Sequence, residues 1–234
     1  MRFCEQDKLK AVTFSYDDGV TQDIRLIELL NKYNLKCTFN INSELLGTGK
    51  VVLRRGKRIS HYKLQPVDVR KVYEGHEVAV HTLSHPNLIN CYEDEIIRQV
   101  EKDRLALSDL AGYEVVGMAY PSGKINCDDR VADVIRKNTG VLYARTIPDT
   151  HSFDMQEDLL QFRPTVYHLD FEKMMELGQK FVELKADKPQ VFYIWGHSYE
   201  MDYGEDYWLQ LEEFFKLISN KEDIFYGTNK EILL

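Results

Sequence analysis

Two carboxylates and three imidazoles in this chain stand where apolar runs end. Asp17 and Asp18 follow AVTFSY and precede Gly19. His81 follows EVAV and is joined four residues later by His85, and His197 follows VFYIWG. Short apolar runs bounded by glycine or polar residues read as buried strands, so these groups are delivered to strand ends. Adjacent residues there point in different directions. One carboxylate can therefore bind a cation while the other stays free as a base. The chemistry such a set can perform is cation-assisted hydrolysis.

The context of each group separates it from blander readings. Asp128-Asp129 is also a carboxylate pair, but it precedes DDRVADVIRKN and reads as a helix cap. His81 and His85 can chelate one cation if a turn joins them. Pro86 disfavours helical geometry at His85, so a strand end followed by a single turn fits better than a helix. Thr82 and Ser84 are then placed to orient the imidazoles. Beside His197, Gly196 permits close approach and Trp195 offers an apolar wall for a sugar ring or an acyl group. Tyr120-Pro121-Ser122-Gly123 ends another strand. It reads as a tight turn or as backbone N–H groups facing an oxyanion. Arg163, between Phe162 and Pro164, is held near the strand ends, with a salt bridge as its default role. His61, His76, His151 and His168 lack such context and read as surface or structural residues; Glu200 is a candidate partner for the site's histidines.

The elements that must position these groups alternate between strand and helix. Strands are predicted at 11–16, 36–41, 77–80, 115–120, 141–145, 162–166, 191–195 and 224–227. Helical apolar stripes lie between them, with Thr21 capping the first, 92–111 the longest, and Asp128 capping a third. Alternation of this kind predicts an α/β fold with a parallel sheet. We expect a distorted (β/α) barrel, full or incomplete, of roughly seven parallel strands with outer helices; its chemistry gathers at the C-terminal strand ends. Residues 1–234 read as a single catalytic domain. Segment 43–66, with GTGK and RRGKR, is too long for a plain βα loop and predicts a hairpin or lid. Its run Arg54-Arg55-Gly56-Lys57-Arg58 is either a solvated face or a contact for an anionic substrate.

Composition narrows the partners. A net charge of -8 argues against a nucleic-acid partner, which would need a positive surface. No apolar window is long enough to span a membrane, and the N-terminus lacks the apolar core of a signal peptide. The expected location is therefore cytoplasmic. Cys4, Cys37, Cys91 and Cys127 form no C-x-x-C pair and read as reduced thiols. The apolar pattern does not reveal oligomeric state.

Taken in order, the motifs resemble those of the polysaccharide deacetylase family, the group with a NodB homology domain, over roughly residues 11–200. Its T-F-D-D-G pattern appears as Thr13-Phe14-Ser15-Tyr16-Asp17-Asp18-Gly19, with two extra residues before the pair. Its H-[ST]-x-x-H appears as His81-Thr82-Leu83-Ser84-His85, and its late apolar run ending in His as Tyr193-Ile194-Trp195-Gly196-His197. The resemblance implies that Asp17 is the general base, that Asp18, His81 and His85 hold a divalent metal, and that His197 is the general acid. The metal implied is zinc first, with cobalt, nickel, manganese or iron as alternatives. Tyr120, Pro121, Ser122, Arg163 and Trp195 are the substrate-binding candidates, and the implied substrate is an N-acetylated sugar, small or oligomeric, or a related acylamide. The chain departs from the family's R-x-P-[YF]-G motif, because Ala119 stands where its arginine would steady the base. Arg163 is the expected replacement. Asp149, Asp154 and Asp158 are the candidates for tuning His197. Two rival readings are an amidase acting on a non-sugar C–N bond, such as a ureide, and a catalytically silent sugar-binding domain.

Overall fold

The computed structural model describes residues 8–123 and 125–234. Its strands are β1 (Lys10–Asp17), β2 (Cys37–Ile41), β3 (Gly49–Arg54), β4 (Lys57–Tyr62), β5 (Glu77–Val80), β6 (Gly117–Ala119), β7 (Tyr143–Arg145), β8 (Val166–Tyr167), β9 (Gln190–Gly196) and β10 (Ile224–Tyr226). The helices are α1 (Asp23–Lys32), α2 (Val69–Val72), α3 (Glu93–Ala111), α4 (Asp129–Asn138), α5 (Phe171–Glu183), α6 (Tyr207–Ile218) and α7 (Asn229–Leu233).

A curled sheet runs in the order β7-β6-β5-β2-β1-β9-β8. All its pairings are parallel, and helices surround it. The result is an open half-barrel of seven parallel strands, as the alternation predicted. Every residue of β1 is buried, as expected for a central strand covered on both faces. One edge of β1 serves two neighbours. Residues Phe14–Asp17 pair with β2, while Lys10–Val12 pair with β10. The sheet is open between β7 and β8. The predicted strand at 162–166 is reduced there to one parallel bridge, Phe162 with Arg145, followed by the two residues of β8. Pro164 has no N–H to extend that ladder.

Side chains cap the N-termini of α4, α5 and α7. Asp128 accepts from the backbone N–H of Val131, as predicted for a cap. The predicted Thr21 cap is not formed. Gln22 occupies the cap position of α1 without a side-chain bond. Asp23 lies in the first turn of α1, where it is fully buried and accepts from the hydroxyls of Ser198 and Tyr73.

Segment 43–66 contains an antiparallel hairpin, β3–β4. Arg55 and Gly56 both have positive φ (47° and 76°), the signature of a two-residue type I′ turn. The hairpin's base is tied to the loop after β1 by Leu64 N–H to Gly19 O (3.0 Å) and Thr21 N–H to Tyr62 O (2.8 Å). Among the described residues, Cys37, Cys91 and Cys127 are free thiols, and no helix is long and apolar enough to cross a membrane. Cys4 lies outside the described residues.

Candidate active site

The C-terminal ends of β1, β5 and β9 bring Asp17, Asp18, His81, His85 and His197 together, and the end of β7 adds Arg145. Asp17 ends β1 and is almost fully buried. The Arg145 guanidinium, at the end of β7, bonds both of its carboxylate oxygens (2.6 and 2.5 Å). Asn40 of β2 donates to Oδ1 as well (2.9 Å). Burial pushes the Asp17 pKa up, but the charges of Arg145, His81 and His197 and the Arg145 hydrogen bond outweigh it and leave it lowered. Arg145 is itself wholly buried. It is fixed by bonds to Ser15 Oγ and Thr146 O (both 3.2 Å) and stacks on Trp195 (4.6 Å to the ring centre). The expectation that Arg163 supports Asp17 is therefore corrected. Arg163 is exposed, its backbone N–H bonds Gln156, and it lines a separate hollow with Cys127 and Pro148. The supporting arginine is Arg145, the register partner of Ala119 on the neighbouring strand.

Asp18 turns the other way, into a left-handed conformation (φ 86°). It forms with His81 and His85 a cluster whose ligand atoms all lie within 4.8 Å of one another. His81 is buried at the end of β5, and its Nδ1 lies 2.8 Å from Ala119 O. A carbonyl can only accept, so Nδ1 carries the proton and Nε2 is left with a free lone pair. Burial lowers the His81 pKa to about 4, despite the attraction of Asp17 and Asp18, so the ring is neutral at neutral pH. His85 Nε2 lies 3.8 Å from Asp18 Oδ1. Thr82 and Ser84 do not touch the imidazoles as predicted: Thr82 Oγ1 accepts from the His85 backbone N–H (3.1 Å), and Ser84 Oγ accepts from Gln99 (2.9 Å). Thr82, His85 and Ser122 share the positive φ of Asp18 (67°, 64° and 75°). Such conformations cost about 1–3 kcal/mol each for residues with side chains, and here they fall on the loops that carry these groups.

Two further residues reach Asp18 from the hairpin. His61 Nε2 lies 3.2 Å from Oδ2. Lys63 Nζ donates to the backbone carbonyl (2.6 Å) and sits 3.2 Å from Oδ1. Burial raises the Asp18 pKa, but the His61 hydrogen bond and the Lys63 charge overcome it and hold it well below the usual carboxylate range. His61, read from sequence as a surface or structural residue without site context, thus touches the cluster directly.

His197 follows β9 and is held by Glu200, not by Asp149, Asp154 or Asp158. Glu200 Oε2 lies 3.0 Å from His197 Nδ1 and also accepts from the His197 backbone N–H (3.2 Å). Burial opposes charge on this imidazole. The attraction and hydrogen bond of Glu200, with Asp18 and Asp17 beyond it, prevail and raise its pKa to about 9. Asp149 instead accepts from Trp195 Nε1 (2.9 Å), Asp154 pairs with Lys188, and Asp158 accepts from the Leu160 N–H.

His168, read from sequence as a surface or structural residue, is fully buried behind this pair. Its Nε2 is 2.9 Å from Glu200 Oε2, and its Nδ1 is 3.0 Å from the Tyr16 hydroxyl. Burial keeps its pKa below the ordinary value. The neutral ring then donates from Nε2 to Glu200 and accepts at Nδ1 from Tyr16. This chain explains Gly196: a Cβ there would fall 2.2 Å from His168 Cδ2.

The turn after β6 is partly committed. The Tyr120 N–H is spent on Arg145 O (3.0 Å), its hydroxyl bonds Leu160 O (2.8 Å), and Pro121 has no N–H. Ser122 is the first residue of this turn whose N–H has no partner among the described residues. A hollow of about 550 Å³ opens over Asp18 and His85 toward the hairpin and Tyr199.

The donor set fits a divalent cation. It offers one ionised carboxylate, one neutral imidazole with its far nitrogen hydrogen-bonded, and a second imidazole within reach of the same point. These are the donors and the outer-shell arrangement that borderline metals prefer.

Comparison with known proteins identifies the family and the fold. The family model described as polysaccharide deacetylase matches residues 5–141. A peptidoglycan-N-acetylglucosamine deacetylase of Bacillus cereus is 30% identical over 116 residues, covering 49% of this chain and 37% of the relative. The peptidoglycan-N-acetylglucosamine deacetylase PgdA of Listeria monocytogenes is 26% identical over 119 residues, covering 50% of this chain and 22% of the relative. The match thus spans well under half the length of either relative. Among solved structures, a family 4 carbohydrate esterase from Streptomyces lividans, in complex with acetate, superposes with a TM-score of 0.57 at 13% identity, covering 94% of this chain and 93% of the other. The Xyl-CE4 domain of a xylanase from the hindgut metagenome of Trinervitermes trinervoides gives 0.58 at 15% identity, covering 96% and 89%. At these identities the structural likeness concerns the fold.

Proposed function

The chain belongs to the polysaccharide deacetylase family, and on that premise we propose that it is a metal-dependent hydrolase removing the acetyl group from an N-acetylated sugar or a related acylamide. The observation that carries this reading is a pair of opposed proton-transfer groups beside one cluster of carboxylate and imidazole donors: Asp17 held ionised, and His197 held protonated up to about 9. In this reading residues 1–234 act as one catalytic domain, with 43–66 as an insertion that walls the cleft.

Asp18, His81 and His85 would hold the cation, zinc foremost, with cobalt, nickel, manganese or iron as alternatives. When bound, it supplies Lewis acidity toward the acyl carbonyl and the attacking water. Asp17, ionised across the neutral range, takes a proton from water as its oxygen bonds to the acyl carbon. Arg145 and Asn40 keep that carboxylate aimed. The Ser122 N–H is the donor available to the developing oxyanion. An amide nitrogen leaves poorly unless protonated, so cleavage of the C–N bond needs the proton that His197 carries. The products are acetate and the free amine. Tyr120 and Pro121 shape the turn that presents Ser122. Trp195 lies against Arg145 and is proposed as the wall for the sugar.

Arg145 also bears on the silent-domain reading, because it supplies Asp17 with the guanidinium that Ala119 lacks. The test is acetate release from N-acetylglucosamine oligomers by zinc-loaded protein. We expect acetate and free amine in equal amounts, lost on chelation and restored by adding metal back. Absence of acetate under every metal would overturn the proposal.

A further inference from the structure

The hairpin has an unusual distribution of side chains. Directly opposed residues of an antiparallel pair share a face, and the register pairs Lys50 with His61, Val52 with Ile59, and Arg54 with Lys57. Lys50, Val52, Arg54 and His61 all line the hollow over Asp18 and His85, so this is the face turned to the cleft. The opposite face exposes Val51 (45%), Leu53 (68%) and Tyr62 (48%). A hairpin placed only to cover a core turns its apolar residues inward and its charges outward. Here the cleft face carries Val52 and the buried Ile59 but also directs two cations of β3 at the cleft, while two apolar side chains of β3 stand in solvent on the other face.

Those cations are unspent. Among the described residues, Asp18 is the only acidic one lining the hollow, and it is already engaged by Lys63 and His61. Asp17, behind it, is engaged by Arg145. Among the described residues, neither Lys50 nor Arg54 pairs with a carboxylate. In a chain of net charge -8, this is a local positive focus beside the cluster. The hollow, about 550 Å³, is of a size that takes a small-molecule ligand.

We propose that Lys50 and Arg54 form a subsite for a negatively charged group, a carboxylate or a phosphate, carried by the acylated sugar. The proposal rests on the deacetylase reading and narrows it: the preferred substrate is an anionic N-acyl sugar. The Arg54 guanidinium offers a planar fork suited to either group, and Lys50 adds a second charge from the same face. Such contacts are partly exposed and therefore sensitive to salt.

The test measures binding by calorimetry to zinc-loaded protein for neutral N-acetylglucosamine, its 6-phosphate, and carboxylate-bearing N-acetylmuramic acid. We expect at least one anionic sugar to bind about ten-fold or more tightly than the neutral one. The preference should shrink as salt rises and disappear in Lys50→Gln/Arg54→Gln. The two anionic arms show whether phosphate or carboxylate is read. Equal binding of all three sugars would overturn the proposal, as would a preference that survives the double substitution. Acetate release, followed in parallel, separates the two readings. Release with no charge preference removes the subsite alone. Charge preference without release from any sugar removes the deacetylase reading alone.

Discussion

Arg145 and Ala119 are register partners on adjacent strands, so the guanidinium that the family motif places on one strand reaches Asp17 from the next. Removing one partner of a buried, hydrogen-bonded pair leaves an uncompensated charge, at a cost of about 3–5 kcal/mol. We therefore expect Arg145→Ala to lower the urea midpoint as well as turnover. Arg163→Ala, at an exposed position, should change stability by no more than about 0.5 kcal/mol. His197→Ala should keep metal binding yet lower turnover by on the order of 10²–10⁴, read by metal analysis and acetate release on the same sample. The groups at the ends of apolar runs were legible in the sequence, and Asp17, Asp18, His81, His85 and His197 converge as that placement implied. Arg145 carried the same signal, since VLYAR is itself an apolar run ending in a charge. Arg163 drew the assignment because of its flanking Phe and Pro. Its neighbour Phe162, not Arg163, is the residue that bridges to β7.

Single elements account for the tuning of these groups. The short 3₁₀ segment Ser198–Tyr203 brings Glu200 back onto His197, a contact that H-x-x-E spacing announces only if the turn is known to form. Glu200 sustains the raised pKa of His197. The acid must be protonated, so activity should fall as pH rises through about 9. In Glu200→Gln that alkaline limb should move down toward histidine's ordinary value near 6.5. A pH–rate profile with an unchanged limb would show that the acid is another group. Gly196 serves the same element, because a Cβ there would overlap His168. Gly196→Ala should destabilise the fold by about 1–3 kcal/mol, measured by denaturant unfolding. His61 and His168 were not legible as site residues. Each arrives through long-range packing: His61 with Asp18, 43 positions earlier, and His168 with Glu200, 32 positions later. A local window reads neither separation.

At the scale of the molecule, the half-barrel gathers chemistry from strands far apart in the chain onto one rim. The sequence conveyed the alternation and the parallel sheet. It did not convey where the sheet stays open, because that depends on a single bridge at Phe162 and on β10 sharing the edge of β1 with β2. On the proposed function, Asp18, His81 and His85 hold one cation on which hydrolysis depends. The most direct measurement is metal content by elemental analysis, paired with acetate release, for the native protein and for Asp18→Asn, His81→Ala and His85→Ala. The account predicts a single divalent ion in the native chain, with metal and acetate release lost together in each substitution. Native protein that holds no ion when dialysed against zinc, or that releases acetate equally well once stripped of it, would contradict the account.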